Sequence, residues 1–176
     1  MGCGAPHTEY QPTTNRMNNA EQLHAIAQTL VDEWPNFFGI QGAGAGDRAT
    51  NDFMRELGRR AATAFGHSFA EQRISGDNKL AVDFYFPDEA TIVEVAMSLR
   101  NPASEFERDI LKAIMAQEAG HAVQRLIFLS KPGALARCAQ PGLRAFADWA
   151  QRAHGILIEV REFTPIAEQI LESPLE

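Results

Sequence analysis

Residues 79–99 read KLAVDFYFPDEATIVEVAMSL. The first half alternates. Leu80, Val82, Phe84 and Phe86 take one side of an extended chain, and Lys79, Ala81, Asp83 and Tyr85 take the other. The second half does the same, with Val93, Val95, Met97 and Leu99 opposite Ile92, Glu94, Ala96 and Ser98. Pro87-Asp88-Glu89-Ala90 between them has a hairpin-loop length. The pattern predicts two antiparallel strands, Lys79–Phe86 and Thr91–Leu99. If Phe86 pairs with Thr91, Phe84 faces Val93, Val82 faces Val95, Lys79 faces Ser98 and Asp83 faces Glu94. Opposed like charges destabilise a sheet at a Cβ separation of about 5 Å. Such a pair shares a proton, takes a cation or binds a metal. The small Ala81 and Ala96 leave room beside it, and oxygen ligands favour Mg²⁺ or Mn²⁺. The plainer reading is two solvated carboxylates on a hairpin surface.

The pattern changes on either side of the hairpin. Residues 1–18 are polar and aperiodic, which predicts a flexible tail. Leu23, Ile26, Ala27, Leu30, Val31 and Trp34 recur at helical spacing from Asn19, and Pro35 ends that run. Gly42-Ala43-Gly44-Ala45-Gly46 lacks a phosphate-loop spacing and lysine, so it reads as a connector. A second helix is expected over about 49–65, followed by a short extended piece, Phe69 to Ile74, and a turn at Ser75–Asn78. Beyond the hairpin, Ser104 and Glu107 read as a capping box opening a helix that ends at Gly120. Val123–Leu129 is mostly apolar, which predicts a strand in a buried, parallel position. A helix over 141–153, a strand over 156–163 and a short terminal helix complete the order. Residues 19–176 are expected to form one mixed α/β domain, a central sheet flanked by helices.

The 176 residues suffice for a single substantial core, and 45% hydrophobic with 22% charged is a globular composition. A net charge of −7 excludes coating of nucleic acid by bulk charge. Cys3 and Cys138 carry neither metal spacing nor a disulfide pattern, which fits reduced thiols and a cytoplasmic protein. No apolar run reaches membrane-span length. His67, His121 and His154 stand near helix ends and read as dipole partners, not as a metal cluster. Trp34 and Trp149 fall with apolar stripes and are expected in the core.

The acid pair and the element order together resemble the PD-(D/E)XK nuclease superfamily. Asp83 in Val82-Asp83-Phe84 takes the first acidic position, and Glu94 in Val93-Glu94-Val95-Ala96 takes the second. Residues 49–130 supply the αβββαβ restriction endonuclease-like core, about half of the chain. The resemblance implies a Mg²⁺- or Mn²⁺-dependent phosphodiester hydrolase acting on DNA, with Asp83 and Glu94 as metal ligands. It also implies an accessory acid on the preceding helix, here Glu56, and a homodimer, as in many restriction-type members. The motif lysine is replaced by Ala96. Lys79 is the expected substitute, with Arg100 as another. Lys112 falls with Glu105 and Arg108 on a helix face expected to be solvated. A catalytically degenerate binding or regulatory module of the same fold is the alternative, and an unrelated α/β protein with surface acids is a second.

Overall fold

The computed structural model describes residues 17–39, 45–96 and 102–164. Its centre is the hairpin of β2 (Val82–Phe86) and β3 (Thr91–Ala96), antiparallel, with Phe84↔Val93, Tyr85↔Ile92 and Phe86↔Thr91 in register. Strand β1 (Ala70–Gln72) adds antiparallel to β2, and β4 (Arg125–Ser130) and β5 (Leu157–Glu162) add in parallel beyond β3. The result is one five-stranded mixed sheet in the order β1-β2-β3-β4-β5.

Parallel neighbours require crossovers that cover a sheet face. Helix α3 (Pro102–Glu118) joins β3 to β4; α4 (Ala134–Cys138) and α5 (Pro141–His154) join β4 to β5. Phe106, Ile110, Leu143 and Ala150 from these helices pack with Ile92, Leu126 and Phe128. The other face is covered by α1 (Asn19–Glu33) and α2 (Ala45–Phe65), whose Leu23, Leu30, Phe53 and Leu57 pack with Phe84, Phe86, Val93 and Ile127. The mixed α/β class and the expected sheet are therefore present. Among the described residues no helix is long and apolar enough to cross a membrane.

Local chemistry moves several boundaries. Strand β2 starts at Val82, not Lys79, because Asn78 accepts from Leu80 N at 2.7 Å and donates to the Ser75 carbonyl, holding 78–80 in a turn. Helix α2 begins at Ala45, so the end of the glycine-alanine run is helical. Helix α3 begins at Pro102, which puts Ser104 inside the helix and removes the capping-box reading. Helix α4 follows Gly133, whose φ of +88° suits glycine. Trp149 is 44% exposed, not a core residue. Residues 1–16, Gly42–Gly44, Met97–Leu99 of the expected third strand, Arg100 and the expected terminal helix lie outside the described residues.

Candidate active site

Asp83 and Glu94 each lie one residue beyond the last paired position of the hairpin, Phe84↔Val93. The ladder changes here. Val95 N donates to Asp83 Oδ2 at 2.8 Å, so a side chain takes a hydrogen bond that backbone pairing would otherwise make. The two strands are thereby joined through a carboxylate, and Asp83 is fixed by a buried amide. Glu94 is 3% exposed and is a hydrogen-bonding neighbour of Asp83. A solvated surface pair is thus excluded.

The gap expected beside Ala81 and Ala96 is filled from α3. Lys112 lies buried with its Nζ 2.9 Å from Glu94 Oε1, 3.0 Å from the Ala81 carbonyl and 2.8 Å from Asp109 Oδ1. Asp109, 5% exposed, precedes Lys112 by three residues on the same helix. Its Oδ1 is close enough for an ion pair but is not aligned as a hydrogen-bond acceptor. Arg108 stands 3.7 Å from Asp109 and is mostly exposed.

Two carboxylates, Glu94 and Asp109, therefore share one buried ammonium, with Asp83 beside Glu94. Burial pushes Asp83 up from its ordinary value. Burial, followed by the charges of Asp83 and Asp109, holds Glu94 well above the usual carboxylate range. Burial draws Lys112 down, but Glu94 and Asp109 together outweigh it, so the ammonium persists above its ordinary range.

No protein-family model, curated protein or solved structure matches the chain.

The remaining expected residues lie apart from this cluster. Lys79 is exposed in the turn before β2. Glu56 lies on the surface of α2, where Arg59 and Arg60 bond it at 2.7–2.8 Å. Those bonds pull its carboxyl down to about 2. Arg60 also bonds Glu33 of α1, so the four side chains tie two helices together. Lys112 is a correction: it is 6% exposed, not solvated. The signal for it was present in the helix. Asp109 lies in phase with Phe106, Ile110, Ala113 and Ala116, and Lys112 borders that face with an oppositely charged partner three residues away.

The donor set suits a hard divalent cation, since two adjacent carboxylates carry excess negative charge in a buried site. Among the described residues no group of three or more His, Cys, Asp or Glu side chains is placed to hold a metal ion. Asp83 and Glu94 would supply two ligands, a number typical of Mg²⁺ sites that otherwise use water and phosphate oxygens.

Proposed function

We propose that this chain is a metal-dependent phosphodiester hydrolase of the PD-(D/E)XK type, acting on DNA. The observation that carries the reading is the buried Lys112 ammonium 2.9 Å from Glu94, beside Asp83. A cation next to paired acids is what the motif lysine provides, and here it comes from α3 while Ala96 stands at the motif position. The order α2-β1-β2-β3-α3-β4 supports the same reading.

In this scheme Asp83 and Glu94 would hold Mg²⁺ or Mn²⁺. A divalent cation held there would supply polarisation of the phosphate and a lowered pKa for a bound water. Lys112 remains protonated, so it offsets charge on the phosphate and does not act as the base. Hydrolysis forms a bond from the water oxygen to phosphorus and breaks one phosphorus–ester oxygen bond. The water's protons end on solvent and on the departing oxygen.

The test is cleavage of plasmid and oligonucleotide DNA with Mg²⁺ or Mn²⁺, wild type against Asp83→Ala. Metal-dependent cleavage that Asp83→Ala abolishes is the expected result. Wild-type protein that binds metal tightly and cuts nothing under broad conditions would overturn the enzymatic reading in favour of a binding module.

A further inference from the structure

A cleft of about 510 Å³ opens between α2 and the edge strand β1, and Asp83 lines it. One wall is a stripe of α2 at helical spacing, Asn51, Met54, Arg55 and Gly58; Glu71 of β1 lies on the other. The β1–β2 register, Ala70↔Phe84 and Gln72↔Val82, brackets Glu71 and Asp83 between the same two pairs, with Glu71 at a left-handed φ of +52°. The cleft therefore leads from solvent to one member of the proposed metal pair.

We infer that this cleft receives an unpaired nucleotide next to the scissile phosphate, so that the substrate is a single strand or a frayed end. The inference rests on the hydrolase reading above. The volume falls in the range of small-ligand pockets and suits one nucleotide. A specific duplex contact covers about 1,000–2,500 Å² of protein surface, a far broader footprint than one cleft of this size.

The lining chemistry sorts the nucleotide's parts. Among the described residues Arg55 is bound only to Asp52, at 2.5 Å, in a pair whose side chains are 77% and 42% exposed. Such surface pairs are weak, so the guanidinium is free to turn to a phosphate. Asn51 adds an amide that donates and accepts. Met54 offers a polarisable apolar contact for a base face. The Glu71 carboxylate repels phosphate and accepts from base amino groups, which places the backbone along α2 and the base toward β1.

Gly58 provides a probe that leaves the acid pair untouched. A Cβ there would stand 4.0 Å from Ala70 Cβ, an ordinary contact, whereas a longer side chain would project into the cleft. Binding is measured by fluorescence anisotropy with a labelled 12-mer, single-stranded or duplex, in Ca²⁺, using Asp83→Asn protein to prevent turnover. Expected are single-strand binding at least ten-fold tighter than duplex, a loss of ten-fold or more in Arg55→Glu and Gly58→Leu, and near-unchanged binding in Gly58→Ala. Circular dichroism and Mn²⁺ binding by the same substitutions in an otherwise wild-type chain check that fold and metal site persist. Equal binding of both DNA forms, or no effect of Arg55→Glu and Gly58→Leu, overturns the cleft assignment. If wild type still cleaves DNA in that case, the hydrolase reading stands without it. Tight single-strand binding by a protein that never cleaves sinks the hydrolase reading and keeps the cleft.

Discussion

Lys112 holds together charges that would otherwise repel one another. Its ammonium donates to the Ala81 carbonyl and to Glu94, and it pairs with the Asp109 charge at 2.8 Å. Removing one partner of a buried pair leaves uncompensated charge, at a cost of about 3–5 kcal/mol. Lys112→Met is therefore expected to lower stability by that amount at neutral pH, measured by urea unfolding. A loss below about 1 kcal/mol, the worth of an exposed pair, would contradict the burial. Adding Glu94→Gln to Lys112→Met should recover part of the loss, because the two residues are in contact and their effects are not additive. Asp83 has a different role. Its carboxylate accepts from Val95 N, so Asp83→Asn can keep that acceptor while Asp83→Ala orphans the amide, at about 1–3 kcal/mol. Metal affinity should fall in both variants. Stability should fall chiefly in Asp83→Ala, and calorimetry of the two against wild type separates the roles.

Between elements, the hairpin loop reaches a helix that lies far from it in sequence. Glu89 accepts from Asn19 N at 2.5 Å and Ala20 N at 3.2 Å, capping α1 from across the fold. Asn18 and Glu21 complete the cap as a reciprocal box. Glu89→Ala should cost about 1 kcal/mol through the lost cap and lost dipole pairing, read as a shift of the urea midpoint with unchanged slope. A shift within error would mean that Asn18 suffices. This contact was not legible in the chain, since nothing in Pro87–Ala90 names a partner some seventy residues earlier. The hairpin register was legible, because apolar alternation and loop length together leave only one pairing that buries Phe84 against Val93. Lys112 was misread for a physical reason. Helical periodicity assigns charged positions to solvent, whereas a lysine at the margin of an apolar face turns inward when carboxylates wait there. The start of β2 was misread because side-chain bonding by Asn78 competes with the ladder, and alternation carries no sign of that.

Across the molecule, opposing ionisations give stability a particular dependence on pH and metal. Glu56 lies on the exposed surface and is held at about 2 by Arg59 and Arg60, against an ordinary 4.5. A lowered carboxylate contributes stability that is present above pH 4.5 and lost as pH falls through its folded value. Solvent screening keeps that contribution small. Asp83 and Glu94 act in the reverse sense. Both are raised, so the folded chain binds their protons more tightly than the unfolded chain does. Their contribution is fully present below the ordinary carboxylate range and is lost as pH rises through the folded values. In EDTA, the thermal midpoint should therefore decline as pH rises from the ordinary carboxylate range through the raised value of Glu94. A divalent cation at the proposed site would displace the same proton, so its affinity should rise with pH. Saturating Mn²⁺ should then flatten the decline, adding about 2.7 kcal/mol at a hundred-fold excess over Kd. Glu94→Gln cannot ionise, so it should be more stable than wild type in EDTA at alkaline pH and gain little from Mn²⁺. Thermal melts from pH 4 to 9, with EDTA or Mn²⁺, measure all four quantities. A wild-type midpoint that rises with pH in EDTA, or a Glu94→Gln curve parallel to wild type, would show that the buried acids are fully balanced by Lys112 and leave no charge for a metal.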